Sequence, residues 1–269
     1  MTPIVFRQPP LVEIVVEFRW DIPGVQGMPE QFAGVPIPVP DGSAHEIHFM
    51  NFASKAGTKG FGLIERVSPP GFPLIAHQVA FRYRSTTGGE GVPLFQLGPG
   101  VFSINIVPPY KSWEHLLPFI ELGLGLLFDS WPEDQDKQFS GARLRYIDAF
   151  GDNLRQGKSI VKFLEENLGI SVHLPQAVTQ FCTDQKAVKP TLSVLMPIDI
   201  GSLELTISEG WVRNIRSLVM QTTVLSKGPL PSDKPGILAT LNAAHIIIHE
   251  SFVGMTTSLH DLMEPEKQG

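Results

Sequence analysis

The order of hydrophobic and polar positions predicts a chain that forms strands first and a long helix afterwards. Apolar residues alternate with polar ones over residues 11–20, a period of two that is typical of a half-buried strand. The same pattern predicts further strands at 45–52, 57–65, 75–85, 95–107 and 142–150. Apolar positions then recur at helical spacing over 113–128, and Ser112 stands where an N-cap is expected.

The second half of the chain repeats this plan. Strands are predicted at 191–198, 203–208 and 217–226, with turn residues between them, and helices at 159–168 and 235–254. Successive strands without intervening helices favour antiparallel pairing. We therefore expect an α+β fold, a mainly antiparallel β-sheet with long helices packed on one face. Residues 1–269 are expected to form a single globular unit, and two similar halves, 1–150 and 186–265, remain an open alternative.

Composition and charge exclude several classes of protein. A hydrophobic content of 42% in 269 residues is enough for a large buried core and excludes a disordered chain. The formal net charge of −6 argues against a general nucleic-acid binder, which would carry a basic surface. No secretory signal and no long uncharged apolar run is found, so we expect no membrane span and a cytoplasmic location.

The chemistry expected of the remaining motifs is also limited. Cys182 is the only cysteine, so no internal disulfide is expected, and it stands outside any nucleophile motif. His245 and His249 are four residues apart on a predicted helix, but without the glutamate pattern of a zinc protease, and only His260 is available as a third ligand. Gly98 and Gly100 fit neither common nucleotide loop, and residues 96–100 are interpreted as a turn or bulge leading into a strand over 101–107. We therefore expect no metal and no cofactor.

Several segments resemble a sporadically distributed family of uncharacterised bacterial proteins. They are Pro-Pro-Leu-Val-Glu at 9–13, Gln-Leu-Gly-Pro-Gly-Val-Phe-Ser-Ile-Asn at 96–105, and the segment around 244–260. Leu-Arg-Tyr-Ile-Asp at 144–148 is similar to the family's Leu-Arg-Tyr-Ile-Asn, with Asp148 in place of asparagine. The resemblance implies a stand-alone protein of about this length, and it implies no reaction.

Arginine and aromatic residues supply the candidate binding surface. Arg143 and Arg145 are expected on one side of a strand that also carries Tyr146, and with nearby arginines they could receive a phosphate or a partner's carboxylates. The structural alternative is that these arginines pair with Glu13 and Glu17 on neighbouring strands.

Two aromatic residues complete the candidate set. Tyr110 and Trp113 stand just before and at the start of a predicted helix, and they could form the rim of a binding site or pack the helix onto the sheet. No catalytic residues are expected. The leading hypothesis is a non-enzymatic module of a bacterial accessory system that binds another protein. The alternative is a sensor or enzyme that binds an anionic small molecule or nucleotide in a pocket between sheet and helices. The oligomeric state stays open.

Overall fold

The structure is a computed structural model that describes residues 4–25, 36–40, 42–69, 71–89, 91–110, 112–132 and 137–265. The described strands form a nine-stranded antiparallel sheet in the order β2-β3-β4-β5-β1-β6-β9-β8-β7, which confirms the α+β class. The strands are β1 Leu11–Arg19, β2 Leu63–Arg66, β3 Phe81–Arg84, β4 Leu94–Gly98, β5 Val101–Ile106, β6 Gly141–Phe150, β7 Leu192–Ile198, β8 Gly201–Val212 and β9 Ile215–Ser226.

Seven α-helices accompany this sheet in the described part of the chain. They are α1 Gly42–Thr58, α2 Trp113–Ser130, α3 Asp152–Arg155, α4 Ile160–Leu168, α5 Gln176–Thr179, α6 Lys234–Met255 and α7 His260–Met263. Short 3-10 helices lie at Gln185–Ala187 and Thr257–Leu259. The ends of the predicted helices follow their sequence signals. The Ser112 side chain accepts a hydrogen bond from the backbone N–H of His115, and Gly169 closes α4 with a φ of +67°.

Two predictions for the first half were wrong. Residues 45–52 are not a strand but part of α1, because the buried positions His48, Phe49, Phe52, Ala53 and Ala56 follow a helical period that an eight-residue window hides. The strand predicted over 95–107 is divided into two. The chain reverses at Pro99 and Gly100, within the segment expected to form a turn or bulge before residue 101, so that β4 and β5 pair with each other in a hairpin.

The chain divides into two compact units, each made of separate segments. Unit 1 contains residues 1–12, 145–224 and 245–269, and unit 2 contains residues 13–144 and 225–244. In unit 2, α1 and α2 pack on the same face of the sheet. The Phe52 ring of α1 lies 4.7 Å from Tyr83 and 5.5 Å from Phe102, measured between ring centroids. A Cβ on Gly123 of α2 would meet Ile104 and Phe95 of that face at 2.9 and 3.1 Å.

Unit 1 has its own core, which β6, β8 and β9 form with α4 and the C-terminal helices. The Phe150 and Phe163 rings are 5.4 Å apart within it. Its other buried members include Leu164, Leu168, Ile207, Leu218, Met220 and Met263. One described helix, α6, is long and apolar enough to cross a membrane by length and composition, a criterion that the core helix of a soluble protein also meets.

Candidate functional site

The arginines predicted to bind an anion lie on the polar face of the sheet beside carboxylates. On β6, Arg143 and Arg145 alternate with buried residues, so they share one face of the strand. Arg143 Nη1 is 3.7 Å from Glu17 Oε1, and the same carboxylate accepts a hydrogen bond from Arg19 Nε at 2.8 Å. Arg143 therefore pairs with Glu17, which is the structural alternative that the sequence left open.

Arg145 and the arginines of β3 are also engaged. Arg145 Nε donates to Thr223 Oγ1 at 3.2 Å. Arg82 and Arg84 both approach Glu65, at 3.6 and 3.8 Å. Glu13, the other acid expected to bind arginine, instead accepts a hydrogen bond from Asn105 Nδ2 at 2.7 Å. The positive charge on this face of the sheet is largely compensated by groups of the protein itself. The face is therefore a weak candidate for an anion-binding site.

Tyr146 lies on the opposite side of β6 from its neighbouring arginines. Its ring is buried, and its hydroxyl is 2.8 Å from Nδ1 of His245 on α6. The His245 and His249 rings stand 5.7 Å apart, one helical turn from each other, and burial lowers the pKa of His249. The alternation of a strand thus separates Tyr146 from the arginines with which it was grouped.

Asp148 points to the same buried side as Tyr146. It is 3% exposed, and burial raises its pKa from 3.8 to about 7. The described part of the chain holds no group of three His, Cys, Asp or Glu side chains that could bind a metal. His260, considered above as a third ligand, instead has Nε2 at 3.2 Å from the carbonyl oxygen of Val253.

The two aromatic residues near the start of α2 differ in their surroundings. Trp113 is buried, and its Nε1 donates to Oδ1 of Asn242 on α6 at 2.5 Å. Tyr110 is half-buried in the loop after β5. Trp113 therefore packs the helix, which is the second of the two roles left open for this pair. The five predicted binding residues do not form one common surface, since Tyr146 faces away from both arginines and Trp113 is internal.

A surface that does combine aromatic, apolar and basic side chains is found in unit 1, at the tip of the β8–β9 hairpin. The strands are joined by Arg213 and Asn214, whose φ angles are +49° and +64°. Two successive left-handed residues make a type I′ turn, the tight turn that fits the twist of paired strands. A two-residue turn of this kind sets Trp211 opposite Arg216. The tip is thus a rigid projection with a defined arrangement of side chains.

Exposure singles out this hairpin tip, which we define as residues 211–216. The side chains of Trp211 and Ile215 are 74% and 62% exposed. Arg213 is exposed, and no ion pair of this arginine is found within the described residues. Arg216 Nη2 lies 2.6 Å from Glu209 Oε2, and Lys189 Nζ lies 3.0 Å from the same oxygen. The hydrogen bond from Arg216 contributes most to lowering the pKa of Glu209.

The hairpin tip was not predicted from the sequence, because residues 209–216 were expected to form a turn region between two strands. The available signal was local. Asn214 tolerates a left-handed backbone, and β-forming residues flank the Arg213-Asn214 pair on both sides, as in a tight hairpin. Exposure of Trp211 could not be obtained from the sequence, because an isolated tryptophan is more often buried than exposed.

Unit 2 also has a concave surface, a groove between α2 and α6. It has a volume of about 590 Å³ and is lined by Pro118, Glu121, Leu122, Lys234, Pro235 and Leu238. One acid and one base contribute to its lining, so its charge selects neither anions nor cations.

No family model, no curated protein and no solved structure matches this chain.

Proposed function

We propose that this chain is a non-enzymatic protein-interaction module, and that its partner binds the hairpin tip. The observation that carries the proposal is the 74% exposure of Trp211 on a two-residue turn of fixed geometry. A tryptophan side chain buries about 150–250 Å² when it is covered, so leaving it in water has a large free-energy cost that a partner would recover.

The composition of the tip agrees with this role. Tryptophan and arginine are the residue types that most often dominate the binding energy of protein interfaces. A rigid turn lowers the entropy lost on binding, because the side chains are already positioned. Arg213 adds positive charge beside Trp211 and Ile215, whereas Arg216 is paired with Glu209. The partner expected here has an apolar pocket bordered by carboxylates.

The alternative function, an anionic ligand held between sheet and helix, has less support. The arginines named for it contact Glu17 and Thr223, and Tyr146 faces the other side of β6. A bacterial accessory system and a cytoplasmic location, both expected from the sequence, belong to the same proposal. The accessory system rests on the sporadic distribution of the family that the sequence resembles.

The test is capture of the partner by the tagged full-length chain in its native host, with protein identification by mass spectrometry. We expect one stoichiometric partner with the wild type, and its loss with Trp211→Ala. Phe181→Ala is the matched control, because Phe181 is an aromatic residue of the same unit that is 78% exposed. This control should retain the partner, and both variants should melt at the wild-type temperature.

The charge of the tip gives a second readout. Arg213→Glu should weaken capture at low salt more than at high salt, since screening suppresses the contribution of an exposed charge. The proposal is wrong if no partner is found, or if Trp211→Ala retains the partner as well as Phe181→Ala does.

A further inference from the structure

The open edge of β7 is unusual for an edge strand. β7 pairs with β8 and ends the sheet, and no other described strand borders it. Its seven residues, Leu-Ser-Val-Leu-Met-Pro-Ile, include no charged side chain. Edge strands are normally protected against pairing by charges, prolines, bulges or a covering segment, and of these β7 has one proline, Pro197, near its end. Here Val194, Leu195 and Met196 are instead 46%, 67% and 38% exposed.

The β7–β8 register determines which backbone groups face outward. The two strands are joined through Asp199 and Ile200, with Ile198 opposite Gly201. The pair that flanks a two-residue turn exchanges backbone hydrogen bonds. Along the two strands, such pairs alternate with pairs that exchange none, and the residues of those pairs direct their backbone groups away from the partner strand. Ser193, Leu195 and Pro197 therefore direct their backbone groups to the open edge. A proline at this position is consistent with the assignment, because it has no N–H to give to β8.

We propose that β7 pairs antiparallel with β7 of a second copy of this chain, around a two-fold axis at Val194. A strand without charge meets an identical strand without charge, so neither side leaves an uncompensated ion in the contact. Two-fold symmetry also lets one surface serve both partners. A charged foreign strand would find no opposite charge on β7.

The position of the axis follows from the outward backbone groups. An axis at Val194 sets Ser193 opposite Leu195 of the second copy, and the two symmetric pairs exchange four hydrogen bonds. An axis at Leu195 would set Ser193 opposite Pro197 of the second copy, which has no N–H for the Ser193 carbonyl. The Val194 axis also places Leu192 opposite Met196 of the second copy, an apolar pair on one face.

The length of the contact sets its strength. Seven residues span about 23 Å, so the buried surface falls at the low end for specific interfaces, below about 1,200 Å² in total. We therefore expect a reversible dimer whose population rises with concentration. Neither Trp211 nor Arg213 takes part, so this proposal stands independently of the proposed function.

Sedimentation equilibrium of the full chain tests the association. The wild type, with a monomer mass of 29.6 kDa, should shift towards twice that mass as its concentration is raised. Leu195→Lys should remain monomeric at the same concentrations. Val107→Lys is the matched control, since Val107 is 46% exposed and lies in unit 2, and it should dimerise as the wild type does. Far-UV circular dichroism verifies that both variants are folded.

Cysteine cross-linking tests the axis, in a Cys182→Ser background. Residues that face each other across the axis have Cα atoms about 4.5 Å apart, within the range that a disulfide spans. Val194→Cys should therefore form a disulfide-linked dimer on mild oxidation. The Leu195 positions of the two copies are diagonal neighbours, about 7–8 Å apart, so Leu195→Cys should not.

Three results would overturn the pairing: a wild type that stays monomeric, a dimer that Leu195→Lys leaves intact, or cross-linking at Leu195 in place of Val194. Trp211→Ala should leave the dimer unchanged. A monomeric wild type whose partner is still lost on Trp211→Ala would refute the dimer and leave the proposed function standing.

Discussion

Replacing Asp148 by asparagine should stabilise the protein at neutral and alkaline pH. Burial raises the pKa of this carboxyl from 3.8 to about 7, and no hydrogen bond or ion pair of its side chain is found within the described residues. The folded state therefore holds the proton of Asp148 over a pH range in which the unfolded chain has lost it. Because the folded state binds more protons there, the free energy of unfolding falls as pH rises.

The size of the effect follows from these two pKa values. One pKa unit corresponds to about 1.4 kcal/mol, so the penalty grows from zero below pH 3.8 to about 4 kcal/mol above pH 7. An asparagine side chain is close in shape and never ionises, so Asp148→Asn removes this penalty.

The assay is urea unfolding of the wild type and Asp148→Asn, followed by circular dichroism between about pH 4 and pH 8. The quantity of interest is the difference between the two unfolding free energies, because other groups contribute equally to both proteins. One such group is His48, whose pKa burial lowers to about 4. The difference should be near zero at the acid end and should favour Asp148→Asn increasingly up to pH 7.

The control for this experiment is Asp129→Asn, because Asp129 is exposed on α2 and its replacement makes the same chemical change outside the core. A pH-independent difference for Asp148→Asn would refute the reasoning. So would a variant that is less stable than the wild type at pH 8, since it would mean that the ionised carboxylate is stabilised in the folded state.

Three further substitutions, the first with a matched control, test a close contact, a hydrogen bond and an ion pair. Gly98→Ala should lower the free energy of unfolding by at least about 2 kcal/mol in urea titration, since its Cβ would lie 1.9 Å from the Gln78 carbonyl oxygen. Gly57→Ala is the control and should not destabilise the protein, because a Cβ at Gly57 would have nothing within 4 Å. Tyr146→Phe should cost about 1 kcal/mol by losing the hydrogen bond to His245, and an unchanged melting temperature would contradict this. Glu17→Gln should cost no more than about 1 kcal/mol, with a smaller effect at high salt, because its ion pairs are partly exposed.

Elements with a local signature were predictable from the sequence. The alternation that predicted a strand at 142–150 corresponds to β6, where every second side chain from Ala142 to Phe150 is buried. Ser112 and Ser159 cap the helices that follow them, as their hydrogen bonds to main-chain N–H groups show. In each of these cases the deciding interaction lies within one element, so the pattern of that element suffices.

The failures came where a neighbouring segment decides the structure. Alternation over 45–52 predicted a strand, yet Ala53 and Ala56 extend the apolar face of a helix that packs Phe52 against Tyr83. Gly98 shows the same limit at a close contact, because a Cβ there would lie 1.9 Å from the Gln78 carbonyl oxygen and no larger residue fits. Such close approaches between distant segments leave no periodic signal in the sequence.

The candidate binding residues show that the same limit applies to the prediction of a functional site. Grouping Arg145 with Tyr146 used their proximity in sequence, but adjacent residues of a strand point to opposite faces, and each side chain met a different neighbour. Trp211 and Arg216 are five residues apart and become neighbours only because Arg213 and Asn214 adopt a left-handed backbone. Where a strand is involved, the residues that can act together are those two apart or those across a turn. Arginine and aromatic residues therefore indicate a common surface only when the turns between their strands are known. In this chain the residues that meet this condition are those of the β8–β9 tip.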